Sequence, residues 1–199
     1  MSLDIFKTRY SCRNFKDEKI SKESLNQILE VARLSPSSLG LEPWKFIVVQ
    51  DINKLKELSV IANGQAHVAK ASAVIIIVSR LDFAKYFEKR LRQRKMSEED
   101  INTRLKLYKP FLENMNAFEK INYAREQAHI ALASILYAAN ALNIATCTIG
   151  GFDKAKLDSY LKLNVNEMQS SLMIALGISN DEKIPAKMRF DFDEVVEFI

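Results

Sequence analysis

Three widely separated parts of the chain carry polar and charged side chains that packing alone does not call for. They are RYSCRNF from Arg9 to Phe15, SPSSLGLEPWKF from Ser35 to Phe46, and the pair TIGGF, Thr148 to Phe152, with IPAKMR, Ile184 to Arg189. Together they offer four cations (Arg9, Arg13, Lys187 and Arg189), three hydroxyls (Ser11, Ser37 and Ser38) and a Gly150-Gly151 backbone at the end of a strand-like run. Guanidinium groups bind phosphate through paired hydrogen bonds and lysine adds a point charge, while a bare glycine backbone lets a flat ring come close. Each piece also has a plainer reading. Arg9 and Arg13 suit a surface, Ser37-Ser38 a helix cap and Gly150-Gly151 a turn, and Lys187 and Arg189 could pair with Asp191, Asp193 or Glu194. Cys12 and Cys147 are too few and too far apart for a disulfide framework or a zinc site, and His67 and His129 have no ligand pattern around them.

The elements that must position these groups follow from hydrophobic spacing. After Ser21, a capping residue type, Leu25, Ile28, Leu29 and Ala32 recur at i, i+3, i+4 and i+7, which predicts a helix with one buried face. Pro36 should end it, because the residue before proline is pushed out of the α region. FIVV, Phe46 to Val49, and AVIIIV, Ala73 to Val78, predict buried strands, with a short helix starting between them at Asn53 to Leu58. Trp44 and Phe46 are expected in the core. From Lys85 to about Phe118 the pattern is polar and helical, with an expected break at Pro110 and an aromatic cluster of Tyr108, Phe111 and Phe118. Ile121 to about Leu142 is nearly all apolar or small and rich in alanine, which predicts a helix buried on most sides at the centre of a protomer or a dimer. A strand at Thr146 to Ile149, a helix capped by Asp153 and a last strand at Leu172 to Leu176 complete the order. The alternation lacks regular βαβ units of about thirty residues. An α+β fold is therefore expected, as a single domain over residues 1–199.

Composition excludes several classes. The chain has 29 Lys plus Arg against 25 Asp plus Glu, a net charge of +4, and 48% hydrophobic residues. Area scaling for this mass gives roughly 9,500 Å² of folded surface against about 33,000 Å² extended, enough burial for one core. The five glycines leave no G-x-G-x-x-G and no G-x-x-x-x-G-K-[ST], so the usual dinucleotide fingerprint and the P-loop are both missing. The most basic run, Lys85 to Lys109 through KRLRQRK, is interrupted by Glu98, Glu99 and Asp100 and interleaved with Leu91, Ile101, Leu105 and Leu107. It reads as a solvated helical face rather than a nucleic-acid stripe. The N-terminal residues lack a signal-peptide core and the longest apolar run is too short for a bilayer, so a cytoplasmic protein with neither a nucleic-acid nor a membrane partner is expected.

Taken in order, R-x-S-x-[RK]-x-F at Arg9, S-P-S-S-x-x-x-x-P-W-x-F at Ser35, I-x-G-F at Ile149 and P-x-K-x-R at Pro185 resemble the FMN-dependent nitroreductase family across essentially the whole chain. Within it, the chain looks most similar to the oxygen-insensitive NAD(P)H nitroreductases and related bacterial flavin reductases. The resemblance implies a sandwich with a mostly antiparallel central sheet flanked by helices, an intertwined homodimer, and FMN bound in the dimer interface. It implies NAD(P)H as co-substrate, a flat acceptor such as a nitroaromatic or quinone, and ping-pong hydride transfer through flavin N5. It puts Arg9, Lys187 and Arg189 at the FMN phosphate with Tyr10 and Ser11 beside them. Arg13 falls near flavin N1 and O2, where a cation eases reduction. Backbone groups of Ile149, Gly150 and Gly151 fall beside N5, and Pro36, Ser37 and Ser38 over the flavin of the other subunit. In NGQAHV, Gln65 takes the ring-facing amide role and His67 is nearest to a family lysine; His129 reads as structural. Gly40 and Glu42 stand where many members carry Asn and Gln, so these two, with Phe111 as a candidate lid, are expected to bear on the acceptor. No side-chain acid-base pair and no metal is expected. The same fold would also suit flavin, pterin or enone reduction, dehalogenation or flavin fragmentation, and a non-enzymatic α+β adaptor with a basic face is the bland alternative.

Overall fold

In the computed structural model, which describes residues 3–199, four strands form one antiparallel sheet in the order β1-β2-β4-β3. The strands are β1 (Trp44–Val49), β2 (Ala73–Arg80), β3 (Ala145–Ile149) and β4 (Met168–Gly177). The central β2 is buried along all but its last residue, which is why its sequence is an unbroken β-branched run rather than an alternation. Period two still sorts its side chains. Val74, Ile76 and Val78 pack on one face with Val49, Cys147 and Met173, while Ala73, Ile75 and Ile77 pack on the other with Ile28, Ala32, Ile135 and Ala139.

Helices cover both faces. On one lie α2 (Lys22–Arg33) and the long α7 (Ala117–Ala141); on the other lie α3 (Ile52–Ile61), α4 (Ala66–Ala69) and α8 (Lys154–Tyr160). The expected caps are in place: Ser21 Oγ accepts the Ser24 amide at 3.0 Å, and Asp153 accepts the Lys156 amide at 3.0 Å. Asn116 and Glu119 form a reciprocal capping box that starts α7. A short α1 (Asp4–Thr8) precedes the first motif.

Between β2 and α7 stand α5 (Phe83–Arg92) and α6 (Glu98–Asn114), which pair around Phe83, Phe87, Leu91, Ile101 and Leu112. The expected break at Pro110 does not occur: α6 runs through it. Proline already holds a helical φ and here forfeits only the bond to the carbonyl of the exposed Lys106, which solvent can satisfy. The basic run is only in part the solvated face expected: Lys89, Arg92 and Lys95 are exposed, with Arg92 paired to Glu88 and Glu98 and Lys109 to Glu113, whereas Arg90 and Arg94 are part-buried.

The sheet edges differ. Outside β3, a parallel bridge joins Ser11 to Thr146 and the Cys12 amide donates to the Thr146 carbonyl at 3.0 Å. Outside β1, no strand is paired among the described residues. Beyond β4 the chain runs over the surface to a single turn, α9 (Phe192–Val195), and leaves Ile184, Met188, Phe190, Phe192, Val195, Phe198 and Ile199 exposed. The protomer's accessible surface is 12,097 Å², about a quarter above the area expected for a compact chain of this mass. Among the described residues no helix is long and apolar enough to cross a membrane.

Candidate functional site

Residues 9–13 lie along the outer edge of β3, and the chain after β4 is tied beside them. The Asn180 amide donates to the Asn14 carbonyl at 2.9 Å, and the Tyr10 hydroxyl shares a 2.6 Å bond with Ser179 Oγ and donates to Asp181 at 2.9 Å. Tyr10 is thereby held as a neutral phenol, its pKa pushed up to about 12 mainly by desolvation. Further on, Lys187 Nζ donates to the Arg9 carbonyl at 2.7 Å. The Lys187 pKa is pushed down first by desolvation and then by the positive charges of Arg9 and Arg189, so three cations crowd together. Among the described residues no carboxylate lies within ion-pair distance of Arg9, Arg13, Lys187 or Arg189. The plainer reading of Lys187 and Arg189 as partners of Asp191, Asp193 or Glu194 fails, because no such ion pair forms among the described residues, and Asp191 and Glu194 cap α9 with each other.

At the end of β3 the Ile149 side chain turns into the core, while Gly150 and Gly151 are exposed. Neither glycine has a positive φ, so the backbone there does not require glycine. A Cβ built on either would meet nothing within 4 Å. The pair therefore keeps a backbone face bare. It is held from behind: Asn63 Nδ2 donates to the Gly151 carbonyl at 3.1 Å, and Gln65 Nε2 donates to it at 3.0 Å and to the Ala62 carbonyl at 2.9 Å. Gln65 so uses its amide hydrogens on this turn and keeps only its Oε1 to offer outward. Two residues on, His67 is buried and its Nε2 has no partner. Burial and then the charge of Arg13 push its pKa below the ordinary 6.5, so the ring is neutral at neutral pH. Cys12 and Cys147 are free, buried thiols, and burial pushes the Cys147 thiol up. His129 only meets the Arg125 carbonyl one turn back.

The second group lies at the opposite edge of the sheet, ahead of β1, three strand spacings or roughly 14 Å from β3. Here almost every polar group is engaged. Ser35 Oγ donates to Ser134 Oγ at 2.8 Å, the Ser38 amide donates to Gln127 Oε1 at 2.8 Å, and Ser37 Oγ accepts the Glu42 amide at 2.8 Å. Ser37 is thus a loop brace and not a helix cap. Arg94 Nη2 donates to the Leu39 and Gly40 carbonyls at 2.9 and 3.0 Å, and Arg90 pairs with the Glu42 carboxylate. Leu39, Gly40 and Glu42 all have positive φ, at 54°, 60° and 49°. Pro36 and Ser38 are left exposed.

Phe111 joins neither group. It is half-exposed and stands edge-on to Tyr123, with centroids 6.1 Å apart, at an open cleft between α6 and α7 that also exposes Phe118. Trp44 is buried as expected, whereas Phe46 is only half-buried. The residues that sequence reasoning missed are the supports: Asn63, Arg90, Arg94 and Gln127. Only Gln127 left a signal, as a polar residue on a helix face otherwise filled by buried alanines.

The Nitroreductase family profile matches residues 6–178. A Staphylococcus saprophyticus protein named as an NAD(P)H nitroreductase is 33% identical, over 99% of this chain and 96% of its own, and a Bacillus subtilis protein with the same kind of name is 30% identical over the same shares. Among solved structures, a nitroreductase-family protein of Streptococcus pneumoniae is 25% identical with a TM-score of 0.87, covering 99% of both chains. A nitroreductase-like structure from Exiguobacterium sibiricum, described in complex with FMN, shares the fold at 24% identity and a TM-score of 0.88, covering 99% of this chain and 96% of its own.

Proposed function

The chain belongs to the nitroreductase family, and from that premise we propose that it is an FMN-dependent NAD(P)H oxidoreductase that reduces flat acceptors such as nitroaromatics or quinones. The observation that carries this reading is the cluster of cations at Arg9, Lys187 and Arg189, without a carboxylate partner among the described residues and set beside an edge strand that ends in a bare glycine face. These residues fit FMN. A phosphate dianion would relieve the mutual repulsion of the three cations, and a flat ring could lie against Gly150 and Gly151 without meeting a side chain. The orphaned, buried Nε2 of His67 and the free Oε1 of Gln65 give the ring edge polar partners.

When bound, FMN supplies the relay that accepts a hydride from a nicotinamide and passes reducing equivalents to a second substrate. The chain's own work is binding and electrostatics. Arg9, Ser11, Lys187 and Arg189 hold the phosphate end. Arg13, exposed and without a carboxylate partner among the described residues, puts positive charge where the reduced ring gathers negative charge. Gln65 and Asn63 fix the Gly151 carbonyl and with it the direction of the neighbouring N–H groups. No side chain has to move a proton to a reacting carbon.

A homodimer belongs to the same reading. The unpaired β1 edge, the exposed apolar residues from Ile184 to Ile199 and the excess protomer surface are what an obligate interface would cover. The loop at Pro36 to Ser38 lies at the far edge of the sheet from this protomer's glycine face, which suits a loop that covers a partner's ring.

The purified protein should be yellow, release FMN on acid precipitation and regain activity when FMN is restored. Steady-state rates with NADH or NADPH and a nitroaromatic should give parallel double-reciprocal lines. A colourless preparation that added FMN cannot reconstitute would refute the reading. In light scattering the solution mass should be twice the 22.7 kDa of the chain.

A further inference from the structure

The basic run from Lys85 to Lys109 has no part in the chemistry above, and neither do the two departures from the family motif, Gly40 and Glu42. They meet in space. Arg94, in the turn between α5 and α6, places one guanidinium nitrogen on two consecutive carbonyls, Leu39 and Gly40, at 2.9 and 3.0 Å. Arg90, on α5, pairs with the Glu42 carboxylate. Between these braces, Leu41 is buried among the side chains of the hairpin itself, with Phe83, Phe87 and Leu91. The loop is thus tied to the α5-α6 hairpin by charge, by hydrogen bonds and by one apolar anchor.

The backbone so held is one the loop would not keep unaided. Leu39 and Glu42 occupy the left-handed region that side-chain-bearing residues avoid, and Gly40 lies between them in the same region. Gly40 and Arg94 are matched, because a Cβ at Gly40 would collide with Arg94 Nη2. An arginine suits the task, since the two hydrogens on its Nη2 are fixed in the guanidinium plane and so are pre-organised toward the adjacent carbonyls, as the rotating ammonium of a lysine is not.

We infer that Arg94 and Arg90 are positioning residues for the acceptor: from the α5-α6 hairpin they hold residues 37–42 as a rigid roof, which fixes the gap into which a flat acceptor slides. The inference rests on reading Pro36 to Ser38 as the cover of the partner's flavin. It assigns to the basic run a job distinct from nucleic-acid binding, and it makes Gly40 and Glu42 components of a brace rather than direct substrate ligands.

The experiment compares Arg94→Ala, Gly40→Ala and the double variant as FMN-loaded protein, with kcat, KM for a nitroaromatic, FMN affinity by flavin fluorescence, and hydrogen exchange across the chain. Loss of a charge-assisted hydrogen bond should raise the acceptor KM about tenfold in Arg94→Ala, with kcat and FMN affinity held within about twofold. Exchange should quicken at residues 38–42 and not in the sheet. Gly40→Ala, which pushes Arg94 off its carbonyls and puts a side chain at a left-handed φ, should raise KM at least as much, and the double variant no more than Gly40→Ala alone, because the second change removes a brace already lost. Arg94→Lys should recover part of the loss. An unchanged KM beside quickened exchange in the loop, or fully additive KM effects, would overturn the inference. If Arg94→Ala fails to fold, Gly40→Ala decides: a tenfold KM rise supports the brace and an unchanged KM refutes it. A chain that binds no FMN would refute the function proposed above instead, while loop exchange in Arg94→Ala would still report whether the hairpin braces the loop.

Discussion

The two edges of the sheet handle polar groups in opposite ways. Along β3, Arg9, Arg13, Lys187 and Arg189 have no carboxylate partner among the described residues, His67 Nε2 is buried without a bond, and a glycine pair leaves backbone bare. Ahead of β1, the serines, the left-handed carbonyls and the Glu42 carboxylate are engaged by Ser134, Gln127, Arg94 and Arg90. Protein interiors rarely leave polar groups unsatisfied, and like charges are rarely gathered without a counter-charge. An edge that gathers cations without a counter-charge is arranged for something outside the chain, whereas an edge whose serines, carbonyls and carboxylate are matched, although Arg90 Nε is buried there without a bond, is arranged to keep its own shape. Binding and scaffolding can therefore be separated by substitution.

The largest separation should come at the cations. Arg189→Ala removes a guanidinium from the phosphate end, and charge-assisted bonds of this kind contribute about 1.5–3 kcal/mol, so FMN affinity should fall roughly tenfold to hundredfold. The apoprotein should lose little, because in it Arg189 makes only an exposed bond to the adjacent Met188 carbonyl and adds to the repulsion on Lys187. Fluorescence titration with FMN and apoprotein melting check the two halves; a lower apoprotein Tm with unchanged FMN affinity would reverse the assignment of this edge. Gly151→Val tests the bare face in the same way. The site has an ordinary φ and open space around it, so the apoprotein should tolerate the side chain while FMN binding weakens by about tenfold, equivalent to about 1.4 kcal/mol.

At the other edge the signs should cross. Gln127→Ala leaves the Ser38 amide without its 2.8 Å partner inside a part-buried loop, a loss of about 1–3 kcal/mol in stability by the usual cost of an unsatisfied group. FMN affinity of the assembled protein should change less than in Arg189→Ala. Urea unfolding of the apoprotein reads the first quantity, and equal FMN losses for Gln127→Ala and Arg189→Ala would erase the distinction between the edges.

The difference between the edges also decided what could be read in the sequence. The β3 edge was legible because its residues act through their own type: a guanidinium, a lysine and a glycine pair keep their chemistry wherever the chain places them. β2 and α7 were legible for a similar reason, since an unbroken β-branched run and an alanine-rich helix each have few alternatives. The β1 edge was not, because its long-range braces join residues 48 to 99 positions apart and its left-handed φ values at Leu39 and Glu42 belong to no residue preference. The early start of β4 at Met168 was hidden likewise. Ser170 and Ser171 look like loop, yet the Ser170 amide donates to Asp158 at 2.7 Å and Ser171 pairs with Ser79 at 2.7 Å inside the sheet. Pro110 misled in the opposite direction, as a strong local signal that an exposed helix could absorb.

The smallest expected effect tests the orphaned group at the binding edge. His67 is held neutral in the folded apoprotein by burial and by Arg13, so its folded pKa lies below 6.5 while the unfolded chain titrates near that ordinary value. As pH falls below about 6.5, the unfolded chain takes up a proton that the folded chain refuses, and the balance shifts toward unfolding. Stability contributed by the neutral ring is thus fully present above 6.5 and lost as pH drops toward the folded pKa, with a slope of at most about 1.4 kcal/mol per pH unit for one proton. Urea midpoints of the apoprotein between pH 5 and 7.5 should fall with acid in the native sequence. They should fall less in His67→Gln, which keeps a polar group but has nothing to protonate. Arg13→Ala should lie between them, since it removes the second cause and leaves the first. If His67→Gln kept the full acid slope, the histidine would not be the group being held neutral, and the binding edge would be set apart from its opposite by its unmatched cations alone.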